Sequence, residues 1–273
     1  IILPGIFFLI FYGLIKVSNT SISYLEATAL GAAVGMSGGS IGITTAHELI
    51  HRSNIKMRGI GITLLILCLY GHFRIEHIYG HHKYFATQND PATARKGENF
   101  YIFLVRCVIM SLISSWNIEK NLLIKKNLSP YSFRNRIFHY FLLELLLLII
   151  SFLIAGTNGI IFILIHSIVS ITLLELVDYI QHYGLKRKKT DNKYEAYGEQ
   201  HSWNSRHTLA NWSTFNLGLH AEHHLLSKKH YPLLSQQKKL KEMPVNYPLM
   251  IIMALLPPIW FKVMNPKLKE KNE

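Results

Sequence analysis

Apolar residues come in long blocks along this chain, unlike the strict alternation of a half-buried strand or the narrow stripe of a soluble amphipathic helix. Residues 1–15 are apolar but short. Residues 22–46 are long enough to cross a hydrocarbon core of ~30 Å. Their small side chains, Gly31, Ala32, Ala33, Gly35, Ser37, Gly38 and Gly39, suit close helix packing in lipid. Residues 59–75 are apolar again. Residues 137–155 and 159–180 read as a helical hairpin that turns at Gly156-Thr157-Asn158-Gly159. The last apolar block, 249–264, is interrupted by Pro257 and Pro258, which suits a helix lying in the membrane interface.

These blocks predict an all-α fold, an integral membrane helical bundle forming one domain over 1–273. Spans are expected at about 1–15, 22–46, 137–155 and 159–180, with an interfacial helix at 249–264. Polar stretches 47–136 and 182–248 lie between them, and 83–136 reads as a cytosolic region with surface-lying helices. The chain begins inside an apolar run, without Met and without a basic segment ahead of it. The expectation is an N-terminally truncated fragment, not a signal peptide.

Charge refines the topology. The formal net charge is +13, from 29 basic and 16 acidic residues, and 49% of residues are hydrophobic. A nucleic-acid-binding protein does not carry runs such as Phe141-Leu142-Leu143-Glu144-Leu145-Leu146-Leu147-Leu148-Ile149-Ile150; basic loops beside such runs fit a membrane protein in contact with lipid headgroups. Residues 52–136 hold 13 Lys and Arg and residues 182–248 hold 11, while the turns 16–21 and 156–158 hold only Lys16. Positive-inside then puts both polar stretches in the cytoplasm, which requires that 59–75 not cross the bilayer. Cys68 and Cys107 have no paired spacing and imply neither a disulfide framework nor a cysteine metal site.

The histidines supply the chemistry. His47 and His51 are four apart and share a helix face. His77, His81 and His82 form a second group, in which spacing puts His77 with His81 and turns His82 away, toward a second metal. His182 closes the hairpin, with Asp178 one turn and Glu175 two turns before it. His220, His223 and His224 fall within about 60° of arc on a helix. Nine imidazoles exceed what one metal coordinates and suit two, but imidazole accommodates Zn, Cu, Fe and Ni alike. Glu48, Glu76, Glu175, Asp178 and Glu222 neighbour these positions and would offset metal charge and orient the rings; solvated carboxylates explain Glu48 and Glu222 equally well. His139 and His166 stand alone on apolar helices and read as packed residues. His72, His201, His207 and His230 read as supporting or surface residues, and Trp203, Trp212 and Phe215 as interfacial anchors more than pocket lining.

Together, His47-Glu48-Leu49-Ile50-His51-Arg52, Glu76-His77-Ile78-Tyr79-Gly80-His81-His82, His182-Tyr183-Gly184 and His220-Ala221-Glu222-His223-His224 resemble the membrane alkane 1-monooxygenases, within the histidine-box family of fatty-acid desaturases and hydroxylases. The stretches 86–95, 201–204 and 254–260 share the resemblance. This chain differs at Asp178, where the family often has Asn, at Gln181, where it often has Glu, and beside the last box, where Gly218-Leu219 replaces the usual Gln-Arg.

The resemblance implies a non-haem di-iron site, with the nine histidines as ligands and no catalytic residue beyond them. It implies insertion of one oxygen atom of O2 into the terminal C–H bond of an n-alkane, with two electrons from a rubredoxin-type carrier. It places the protein in a bacterial inner membrane with the site facing the cytoplasm. Rival readings are an acyl desaturase, or a hydroxylase of fatty acids or aromatic methyl groups, of the same architecture. A membrane zinc protease using His47, Glu48 and His51 leaves six clustered histidines unexplained. A metal transporter would place its ligands near the bilayer midplane, not at helix ends.

Overall fold

The computed structural model describes residues 2–191, 193–235 and 241–269. In chain order its helices are α1 (Ile2–Val17), α2 (Tyr24–Ser37), α3 (Thr44–Ile50), α4 (Ile55–Leu67), α5 (Phe73–Glu76), α6 (His82–Tyr84), α7 (Phe100–Ile124), α8 (Arg136–His182), α9 (Thr208–Ser213), α10 (His220–Leu225), α11 (Tyr247–Ala254) and α12 (Pro257–Lys267). A π turn at Gly38–Ile43 joins α2 to α3, and another at His77–His81 joins α5 to α6. Among the described residues, strand is confined to two-residue pairings, Lys189–Thr190 with Lys193–Tyr194 and Trp203–Asn204 with Lys241–Glu242. The fold is all-α, as expected. The chain divides into two compact units, one of Ile1–Ile75 and Ser115–Leu174, the other of Glu76–Ser114 and Glu175–Glu273.

In the first unit, α2 starts on a capping box in which Ser23 and Glu26 each bond the other's backbone N–H. Its glycines then set the helix directly on the second leg of α8. A Cβ added at Gly31 would lie 2.6 Å from the Phe162 carbonyl oxygen, and one at Gly35 2.7 Å from that of His166. Ser170 closes the contact by donating from Oγ to the Gly35 carbonyl at 3.0 Å. Helix α8 breaks at Ala155 and Gly156, the latter at φ 55°. A Cβ at Gly159 would lie 2.1 Å from the Ser151 carbonyl oxygen, whereas eight residues of unbroken helix would separate the two by ~12 Å. The chain therefore reverses there into a helical hairpin.

Residues 59–75 do not form one long helix. Helix α4 has 13 residues, fewer than the ~20 that a perpendicular span needs. It packs back on α3, where a Cβ at Gly61 would sit 3.1 Å from the Ala46 carbonyl oxygen. After α4 the chain turns through Leu69 at φ 52°. Glu144, buried in α8, accepts from the Gly71 amide at 2.8 Å, and Arg74 donates to the Tyr140 hydroxyl at 3.3 Å. Ile66, Ile75, Ile137 and Tyr140 form the core beneath this turn. A bidentate ion pair between Arg136 and Glu119 fastens the connection from α7 to α8.

Helix α7 departs from expectation. Surface-lying helices were the reading of 83–136, yet α7 is 25 residues long and, with α8, is long and apolar enough to cross a membrane. Scattered polar residues such as Ser111, Ser115 and Glu119 hide this run in the sequence, but those three face inward and are buried.

The second unit is built on buried aromatics. Phe100, Phe103, Tyr179, Tyr183, Trp203 and Trp260 pack with Met243, Met250 and Met264. Trp260 lies 5.1 Å from Tyr179 and 5.2 Å from Tyr183, centroid to centroid. Trp203 is core, not an interfacial anchor: it is 2% exposed and its indole N–H donates to the Tyr183 carbonyl at 3.0 Å. Trp212 is exposed. The proline pair splits the last apolar block into α11 and α12, bent by 119°. Arg106 ties down the 90–98 loop, donating to Glu98 from Nε at 2.6 Å and to the carbonyls of Pro91 and Thr93 at 2.9 and 3.2 Å.

Candidate metal centre

The π turn decides how the second histidine group is arranged. Its i→i+5 hydrogen bond, from the His82 amide to the His77 carbonyl, lines up positions five apart instead of four. The Nε2 atoms of His77 and His82 therefore face each other at 3.1 Å, correcting the spacing argument that turned His82 away. His81 is released to another partner set. It joins His182, His220 and His224, the four offering ligand nitrogens that all lie within 4.8 Å of one another. His223, on the neighbouring face of α10, stacks toward His77 and meets His82 edge-on, with ring centroids at 6.3 and 5.0 Å. Seven of the nine expected ligands thus gather in the second unit. His47 and His51 stand in the first unit, at the end of α3, with ring centroids 5.4 Å apart.

The four-histidine group fits a metal ion. His220 Nε2 lies 3.0 Å from His182 Nε2 and 2.9 Å from His224 Nε2, and the last two are 3.4 Å apart. Metal–nitrogen bonds of ~2.0–2.1 Å place neighbouring nitrogens around one ion roughly 2.9–3.4 Å apart. All four rings are 0–3% exposed, and His81 Nε2 has no hydrogen-bond partner. A buried, unpartnered ring nitrogen set beside three others is costly. Burial and the adjacent rings, His220 first, hold His224 well below the ordinary imidazole value, so it is neutral, the form that binds metal.

His81 is oriented by a residue that spacing alone did not single out. Its Nδ1 donates to Asp90 Oδ2 at 3.0 Å, leaving Nε2 to face the other rings. Burial works against a proton on His81, but Asp90 outweighs it and raises the imidazole to about 9. This is the carboxylate–histidine pairing that fixes ring orientation and basicity at metal sites. Asp90 is itself held by Thr93 Oγ1 at 2.6 Å and the Ala92 amide at 3.1 Å. In the sequence it passes for a turn former in Asn89-Asp90-Pro91. Asn204 is the second such residue. Buried at 0% exposure, it accepts from the Ala221 amide at 2.9 Å and so seats the start of α10. Gln181 donates to the Leu217 carbonyl at 3.0 Å and the Tyr247 hydroxyl at 2.6 Å, roles a glutamate there would not fill.

The expected carboxylates divide. Glu76, Glu175 and Asp178 are buried at 1–5% exposure; Ser114 donates to Glu76 at 3.4 Å. Burial, then the charge of Asp90, pushes Glu76 up to about 8; a dication beside it would favour its ionised form. Glu48 pairs with Arg52 one turn on. Glu222 is buried, not solvated, and is bound by Lys229 Nζ at 2.7 Å and by Ser235. Among the other histidines, His166 is packed, with Nε2 3.8 Å from Cys68 Sγ, His139 is exposed, and His201 is held by Glu195 and the Gly198 amide.

The fatty acid desaturase family model matches residues 25–253, a range holding all nine histidines and Asp90. The chain is 37% identical over 232 residues to alkane 1-monooxygenase 1 of Pseudomonas aeruginosa, covering 85% of this chain and 61% of that protein. The chain belongs to the fatty acid desaturase family, in its alkane 1-monooxygenase branch. Alkane 1-monooxygenase 2 of the same organism is 35% identical over 262 residues, 96% of this chain and 70% of that protein. The chain is also 28% identical over 235 residues to the xylene/toluene monooxygenase hydroxylase component XylM of Pseudomonas putida, 85% of this chain and 62% of the relative. The chain thus spans about three-fifths to seven-tenths of the length of these relatives.

Proposed function

We propose that this chain is the catalytic part of a non-haem di-iron monooxygenase that hydroxylates the terminal carbon of n-alkanes, using O2 and two electrons from a rubredoxin-type carrier. The observation that carries the reading is the buried group of His81, His182, His220 and His224. It sits in a chain whose close relatives are named alkane 1-monooxygenases. All nine histidines, including His47 and His51, serve as ligands in this proposal, with Glu76, Glu175 and Asp178 balancing charge. Glu48 and Glu222, bound to Arg52 and to Lys229 and Ser235, act at one remove by fixing α3 and α10. Two irons held by these nitrogens would supply O2 activation. The protein's part is to keep His224 neutral, to orient His81 through Asp90 and to exclude water. The site faces the cytoplasm of a bacterial inner membrane, and an apolar substrate reaches it from the bilayer.

A second reading, hydroxylation of an aromatic methyl group, is favoured by the similarity to the xylene/toluene monooxygenase component. Fatty-acyl desaturation or hydroxylation is the third outcome of the same architecture. Metal analysis of the purified membrane protein, with product analysis from octane, hexadecane, xylene and palmitate, separates them. Two irons per chain and 1-alkanols are expected. A single zinc sinks the proposal, and products from xylene or palmitate alone transfer it to a rival.

A further inference from the structure

Outside the imidazole group, the second unit holds a cavity of about 600 Å³ walled by the 86–95 loop and by Lys186, Arg187, Lys189 and Tyr194. Arg95, Lys186, Arg187 and Lys189 line it, with Asp90 as its acid, and the Asp90 oxygens are already taken by His81, Thr93 and the Ala92 amide. Arg95, Lys186 and Lys189 are exposed at its mouth. The cleft therefore presents positive charge to an incoming partner.

Its inner wall leads to a ligand ring. Arg187 is fixed by its amide on the Ala86 carbonyl at 2.7 Å and by Nη2 on the Lys83 carbonyl at 3.1 Å. Its guanidinium carbon lies 5.7 Å from the Tyr194 ring centroid and 5.8 Å from that of Phe85, contacts of the cation–π range. Phe85, 1% exposed, stacks on His224 with centroids 3.9 Å apart and planes at 24°. From the cleft to the imidazole group, then, no step between Tyr194, Arg187, Phe85 and His224 exceeds 6 Å.

We propose that this cleft is the docking site of an acidic one-electron carrier protein and that Arg187 and Phe85 form the path of electron entry to His224. The proposal rests on the monooxygenase reading. In each encounter an iron–sulfur centre of the carrier would give up one electron to a metal held by His224 and its neighbouring rings, and two encounters would supply the pair that the reaction consumes. Basic residues at the mouth raise the association rate and make it salt-dependent, while the stacked rings give the docked carrier a covered route inward.

The test uses the full-length, iron-loaded protein in nanodiscs with a purified acidic rubredoxin as probe. The double variant Lys186→Glu/Lys189→Glu is expected to weaken the Kd for rubredoxin by about tenfold or more. Dithionite-driven product formation should stay at the native level. Lys125→Glu/Lys126→Glu, in a different basic stretch, should leave the Kd within twofold. Arg187→Gln keeps the backbone bond to Ala86 and should slow metal reduction at saturating rubredoxin at least fivefold, followed by stopped flow. An unchanged Kd in the Lys186/Lys189 variant, as expected if the cleft serves only lipid headgroups, overturns the docking site; an unchanged saturating rate in Arg187→Gln overturns the path. Failure of the native protein to oxidise any alkane with dithionite defeats the monooxygenase reading instead, while the Kd comparison still decides the cleft.

Discussion

Asp90 meets His81 at 3.0 Å with both side chains essentially out of solvent, on the edge of the ring opposite the other three imidazoles. With its Nδ1 proton committed to the carboxylate, the ring offers Nε2 as the nitrogen that a metal would take in exchange for a proton. Asp90→Asn is expected to lower metal affinity 10–100-fold, the usual cost of losing such a partner, because an amide has no charge to favour the Nδ1 proton. Chelator competition followed by metal analysis measures it. Native affinity in Asp90→Asn would reduce the contact to packing.

Ligand roles are separable by counting metal. His220→Ala and His224→Ala should each drop the iron content from two per chain toward one and abolish product. His139→Ala, at an exposed position, should change neither. Thermal melts without added metal would show that the alanine variants still fold. Two irons retained in His220→Ala would remove that residue from the ligand set.

Much of this site was legible in the sequence because histidines three to five apart on a helix are held together by covalent geometry. The helical hairpin at 137–180 and the close-packed glycines before His47 were legible for the same local reasons. What the residues hide is longer-ranged or rests on backbone irregularity. The π turn at His77–His81 regroups His77 with His82 because one extra residue shifts the face, and no side-chain pattern announces it. Asp90 lies nine positions after His81, beyond α6 and a short irregular loop. Trp203 looks like a surface anchor until Tyr183 supplies a carbonyl for its indole.

Helix contact in the first unit depends on missing side chains. Gly31→Ala and Gly35→Ala would each drive a methyl to 2.6 or 2.7 Å from a backbone oxygen of α8, which cannot swing aside as a side chain can. Each should destabilise the protein by about 1–3 kcal/mol, as overpacking does. Gly5→Ala, with nothing within 4 Å of the added Cβ, should be neutral or stabilising by up to ~1 kcal/mol. Melting temperatures in detergent rank the three, and equal values would mean that α2 and α8 have room to separate.

Acid sensitivity should arise in part at Glu98. Burial alone would raise its carboxyl, but hydrogen bonds from Arg106 and from the Arg95 amide outweigh this and hold it below its ordinary value. A group whose pKa is depressed by folding stabilises the native state above the unfolded value of ~4.3 and loses that contribution as pH falls through the folded value. Glu98→Gln is therefore expected to be less stable than the native protein at pH 7, with the difference shrinking as pH falls below about 4. Arg106→Gln should show the same flattened pH profile. It should also weaken metal retention, because Arg106 holds the Pro91 and Thr93 carbonyls just after Asp90 in the same loop. Melting curves between pH 7 and pH 3, with iron analysis of both variants, separate the two effects; metal loss in Glu98→Gln equal to that in Arg106→Gln would show that the ion pair itself, not the carbonyl contacts, keeps Asp90 in place.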